Sequence, residues 1–208
     1  MPETPTAARP APPQPGTTPS GLPPRRQRFP GPRVPGAALM LRLLLAQDGS
    51  MTRLCEALAG RPVQLHLSAQ RSTHGVPAQV QEGLRARHFI ERISSLVLDG
   101  EVLTDNLVYV ALDGLDPALR DQLQAGGQPI GHLIAGRWAR RDTLRAGPGL
   151  LAPLWHAVGQ VDPDATRCYT MHTPEGPPML ICETFRHGLW AQAHAGTQPE
   201  REPGGAAA

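Results

Sequence analysis

Two charged residues interrupt apolar faces, and they carry most of the chemistry this sequence could perform. In the segment 178–187, Met179, Ile181, Glu183 and Phe185 share one face by the two-residue period of a strand. A carboxylate between Ile181 and Phe185 is expected in an apolar setting, which disfavours the charged form unless a partner intervenes. In the segment 86–98, Ile90, Arg92, Ser94, Leu96 and Leu98 share a face likewise. An arginine there keeps its charge and needs an anion. Either Arg92 and Glu183 form a buried structural ion pair of small net worth, or they form a site. In a site, Arg92 would grip a ligand carboxylate through its planar fork, and a desolvated Glu183 would handle a proton. Pattern alone leaves both open, because facing is inferred from alternation only.

Two backbone features join these side chains. Asp48-Gly49-Ser50 leads into a helix start, whose free N–H groups and dipole favour anions, and Pro129-Ile130-Gly131 is a tight turn opening a short helical stretch. The commoner reading of each is an ordinary helix start. Together with one arginine they could hold a dianionic small molecule.

Composition removes other chemistries. All 20 basic residues are arginine, so a phosphate-binding loop of the Walker type and a lysine Schiff base are excluded. A net charge of +2 with 18% charged residues is no nucleic-acid footprint. Cys55, Cys168 and Cys182 are too few and too scattered for a disulfide framework or a Cys-x-x-Cys metal site, and read as free thiols. The eight histidines stand singly, so no metal is expected.

The elements that must position the site alternate between helices and strands. Half of the 24 prolines fall in the first 35 residues, so residues 1–36 read as a disordered, extended arm. Residues 37–190 read as one domain and 191–208 as a second disordered tail. Arg25-Arg26 before the apolar run Ala37 to Ala46 faintly resembles an export signal. Arg42 interrupts that run, however, no small-residue cleavage site follows, and ten residues cannot span a bilayer. The run is read as a first amphipathic helix, and the chain as soluble and cytoplasmic. Ser50 caps a helix closed by Gly60, and Val63 to Ala69 alternate as a strand. Strands 86–98 and 101–110 turn at Asp99-Gly100. A helix runs from Asp116 to Ala125, stopped by Gly126. A strand near 137–145, an apolar stretch 150–158 and a hairpin of strands 166–173 and 178–187 complete the pattern. Hairpins dominate, so the expected class is α+β: an antiparallel sheet with helices on one side. Nothing demands more than a monomer.

Four blocks, DGSMTRLCEAL, ERISSLVLDGE, QPIGHLIAGR and PPMLICETF, occur in that order. They resemble the chorismate lyase (4-hydroxybenzoate synthase) family over about residues 37–189. The resemblance implies a central antiparallel sheet flanked by helices, with the ligand enclosed under helix-turn flaps. It implies a cofactor-independent lyase that converts chorismate to 4-hydroxybenzoate and pyruvate. Carried over residue by residue, the family's substrate-carboxylate arginine falls on Arg92 and its glutamate on Glu183. Its ligand-holding backbone amides fall at Met51 and at Ile130, before Gly131. Asn106 stands where the family often has a charged residue. The rival class is a non-catalytic module for small aromatic carboxylates, related to the effector-binding domains of some transcription regulators that share the fold. Such regulators carry an N-terminal helix-turn-helix, which residues 1–36 cannot form.

Overall fold

The computed structural model describes residues 24–135, 138–174 and 176–195. Its centre is the hairpin of β2 (Phe89–Leu98) and β3 (Glu101–Ala111). Asp99 and Gly100 both adopt positive φ, 51° and 76°, which is what a two-residue turn matching the twist of its strands demands. A second hairpin, β5 (Thr166–Thr173) and β6 (Gly176–Phe185), docks β6 against β3. The edges are β1 (Gln64–Thr73) and β4 (Arg140–Leu144), giving one antiparallel six-stranded sheet in the order β1-β2-β3-β6-β5-β4.

Among the described residues seven α-helices flank the sheet: α1 (Ala37–Ala46), α2 (Met51–Ala59), α3 (Ala78–Leu84), α4 (Pro117–Ala125), α5 (Ile130–Leu133), α6 (Pro148–Val158) and α7 (His187–Ala195). They cover both faces rather than the one expected. Val80 and Leu84 of α3 and Leu150, Leu151 and Leu154 of α6 bury Phe89, Ile93, Leu107, Leu180 and Cys182. On the opposite face, Leu119 and Leu123 of α4 with Ile134 bury Ile90, Val108, Val110, Met179 and Ile181. Alternation in each strand sends its residues to the two clusters in turn, so both faces are apolar and both need a cover. None of these helices is long and apolar enough to cross a membrane.

Residues 24–36, which proline content assigned to the arm, pack on the domain. The Arg25 N–H donates to the Gly100 carbonyl at 2.7 Å, and the Val102 N–H donates to the Arg25 carbonyl at 2.9 Å. Arg26 Nε reaches both oxygens of the fully buried Asp105, which also accepts from Arg186 Nε at 2.6 Å and from Ser95 Oγ at 2.6 Å. Phe29 is buried edge-on to Trp190 of α7. Proline content gives no sign of this packing, because the partners of Arg26 and Phe29, Asp105 and Trp190, lie far along the chain. Residues 191–195, assigned to the tail, are the end of α7. The remainder of the proposed arm and tail, 1–23 and 196–208, lies outside the described residues.

Candidate functional site

Strand register lines the polar residues of the α4/α5 face into one row. Ser94 stands opposite Asn106, Asn106 opposite Glu183, and Glu183 opposite Arg167. The next row is apolar except at its end: Arg92, Val108, Ile181 and Tyr169. Over these rows lie the starts of α2 and α5, enclosing a cavity of about 50 Å³. Ser94, Asn106, Glu183, Tyr169 and Arg141 supply its polar wall, and Leu65, Leu96, Val108, Ile134, Met171 and Ile181 supply its apolar one. The cover consists of Ser50, Met51 and Thr52 from α2 with Pro129, Ile130 and Gly131 from α5.

The two helix starts are held close. The Ser50 hydroxyl accepts from the Arg53 N–H at 3.4 Å, as an N-cap does. A Cβ on Gly131 would lie 2.6 Å from Thr52 Oγ1 and 2.8 Å from Ser50 Oγ, so only glycine permits this approach. His132 Nε2 and Glu56 join the same two helices from outside at 3.1 Å. α5 is a single turn, so its dipole is small and what it offers a ligand is peptide N–H.

Glu183 lines the cavity and is 5% exposed. Its partner is Arg167, whose Nε donates to Oε2 at 2.7 Å, while Tyr169 Oη donates to Oε1 at 3.1 Å. Of the two alternatives for Arg92 and Glu183, their mutual ion pair does not form: Glu183 pairs with Arg167 instead. Arg167 also donates to the carbonyls of Leu44 and Gln47, tying the end of α1 to the sheet, and its guanidinium lies over the Tyr169 and Phe185 rings. Burial foremost, and then the Glu183 charge, push the Tyr169 phenol well above its usual range, so it stays a neutral donor. Asn106 Nδ2 donates to Thr104 Oγ1 at 3.2 Å and to the Ser94 carbonyl at 3.5 Å.

Arg92 is 1% exposed and does not line the cavity. Its Nη2 donates to the carbonyls of Gly126 at 3.0 Å and Gln128 at 2.8 Å, anchoring the loop that carries α5. Its Nε and Nη1 have no hydrogen-bond partner among the described residues, and burial lowers its pKa. Of the residues singled out in the sequence, Met51, Ile130, Gly131 and Glu183 thus converge on one cavity, and Arg92 lies behind its cover. Sequence reasoning missed Arg167, Tyr169 and Arg141. The alternation Arg167, Tyr169, Met171 was a usable signal for a shared face. The bulge near Met171/Thr173 that puts Arg167 opposite Glu183 was not legible.

No family model matches the sequence, and no curated protein matches it. Among solved structures, the ligand-binding domain of a GntR-family transcriptional regulator from Bordetella bronchiseptica is similar over 59% of this chain and 85% of its own, at 11% identity and a TM-score of 0.37. A GntR-family regulator from Bacillus cereus is similar over 59% and 90%, at 8% identity and a TM-score of 0.38. A gene product of Staphylococcus aureus is similar over 68% and 90%, at 12% identity and a TM-score of 0.39. The likeness is one of fold, and at these scores it carries no argument about ligand or activity.

Proposed function

We propose that the cavity under α2 and α5 binds a small cyclic carboxylate of the chorismate and 4-hydroxybenzoate class, and that holding this ligand is the chain's primary role. The observation that carries the reading is the convergence of an apolar slot, the Asn106–Glu183 row and two amide-bearing helix starts on one enclosed space. Apolar walls suit a ring, and a few placed polar groups fix its orientation. Glu183 is already committed to Arg167 and Tyr169, which suits accepting from a ligand hydroxyl better than ferrying a proton. Pockets for drug-sized ligands hold roughly 300–1,000 Å³. A cavity of 50 Å³ is small by comparison, so on this reading α2 and α5 must part to admit the ligand.

A second reading has its own support, since Met51, Ile130, Gly131 and Glu183, four of the five residues that the resemblance to chorismate lyases assigns to the substrate site, line the cavity, while the fifth, Arg92, does not. On that reading the ether C–O bond of chorismate breaks and the ring loses a proton and becomes aromatic. The departing enolpyruvate takes up a proton to leave as pyruvate. Much of the driving force lies in the substrate, and the chain contributes positioning and electrostatics.

Incubation of the chain with chorismate separates the two. Unchanged chorismate together with a raised melting temperature supports binding alone. Equal amounts of 4-hydroxybenzoate and pyruvate establish the lyase, and neither turnover nor a shift refutes both.

A further inference from the structure

Among the described residues only two charged side chains line the cavity, Glu183 and Arg141. Glu183 is neutralised by Arg167. Among the described residues Arg141 has no carboxylate partner, and its side chain meets the neutral Tyr169 hydroxyl. It stands on β4 opposite Met171, facing the cavity with its guanidinium carbon 5.8 Å from the Tyr169 ring centre. Its Nε is buried without a hydrogen-bond partner among the described residues. The neighbouring carboxylates are taken: Asp142 by Arg140 and His172, and Glu183 by Arg167. A half-buried guanidinium with a spare donor in the wall of a closed cavity is a charge waiting for an anion.

We infer that Arg141 is the specificity-determining residue of this site and that it receives a second carboxylate, so the preferred ligand is a dicarboxylate rather than a monocarboxylate. This rests on the reading of the cavity as the ligand site and adds the charge of the ligand to it. The starts of α2 and α5 hold one carboxylate by peptide N–H, and Arg141 holds the other by its fork, arriving from the sheet edge on a separate element. A planar ring between them stacks on the apolar wall. The guanidinium of Arg141, kept by the Tyr169 ring, needs little reordering to meet the second carboxylate.

The test compares two probes that cannot eliminate and differ only in one ether arm: 3-methoxy-4-hydroxybenzoate, with one carboxylate, and 3-(carboxymethoxy)-4-hydroxybenzoate, with two. Titration calorimetry of the full chain should show the dicarboxylate binding tighter by about tenfold to a hundredfold, the worth of a charged hydrogen-bonding pair. In Arg141→Gln the ratio of the two affinities should fall to about one, with measurable binding of the monocarboxylate reporting an intact site. Equal affinities in the parent chain, or an advantage that survives in Arg141→Gln, would overturn the inference and leave the site standing. If the parent chain binds neither probe, the reading of the cavity itself falls.

Discussion

Gly131 is where a single methyl group should separate a closed cover from an open one. Its φ is not positive, so alanine meets no conformational penalty and the effect is steric. The added Cβ would stand 2.6 Å from Thr52 Oγ1, about 0.8 Å short of an ordinary 3.4 Å contact. Ser50 Oγ, at 2.8 Å, can swing away, because its cap bond to the Arg53 N–H is long at 3.4 Å. Thr52 cannot: it is buried, β-branched, and its own Cβ lies 3.0 Å from the new atom. α5 must therefore move off α2. Overpacking of this kind costs about 1–3 kcal/mol, and because both elements are small surface helices the lower half of that range is expected. In a chain of this size that lowers Tm by roughly 2–8 °C. The same 1–2 kcal/mol charged against closure over a ligand weakens binding about 5- to 30-fold. Thermal melts and calorimetric titration with 4-hydroxybenzoate measure both numbers, and Gly131→Ala/Thr52→Ala should recover part of the loss. If Gly131→Ala melts and binds like the parent chain, the cover is not closed by α2 against α5.

Replacing Glu183 alone by alanine leaves Arg167 buried without its anion and should cost about 3–5 kcal/mol. The pair Arg167→Met/Glu183→Leu should cost far less; additive losses in urea unfolding would show that the two do not act as an ion pair. Phe29→Ala empties a buried ring site against Trp190 and should cost about 3 kcal/mol, or on the order of 6–12 °C in Tm. No shift would return residues 24–36 to the status of an arm. The Asp113 carboxyl is held down to about 2, first by the Arg87 backbone N–H and then by the His88 side chain. A carboxyl lowered in the folded state stabilises above its ordinary value of 3.8 and loses that contribution as pH falls toward 2. Asp113→Asn should flatten that limb of the Tm–pH profile, and an unaltered limb would refute the assignment.

Elements with local punctuation were legible in the residues. Asp116 caps α4, accepting from the Leu119 N–H at 3.0 Å, with Pro117 first in the helix and Gly126 at φ 69° beyond its end. The Asp99-Gly100 turn and the Ser50 cap behave as their residue types require. What escaped lacked such marks. α3 opens at Pro77 with no side-chain cap, and α7 follows β6 with only Arg186 between them. At the site, the apolar faces around Glu183 and Arg92 were visible from alternation, but their partners were not. Arg167 depends on a bulge in the β5/β6 hairpin, and the carbonyls that hold Arg92 come from a loop some 35 residues away. Long-range pairing of this kind is set by the folded topology and leaves no local signature.

The most direct test of the central claim is the melting temperature of the full chain in the presence of 4-hydroxybenzoate and of chorismate. A ligand at a hundred times its dissociation constant adds about 2.7 kcal/mol to the folded state, which for a chain of this size is a rise of roughly 5–11 °C. The account predicts a saturable rise of that order, larger for the dicarboxylate chorismate and reduced in Gly131→Ala. No rise with either compound at millimolar concentration, in a chain that melts cooperatively, would contradict it.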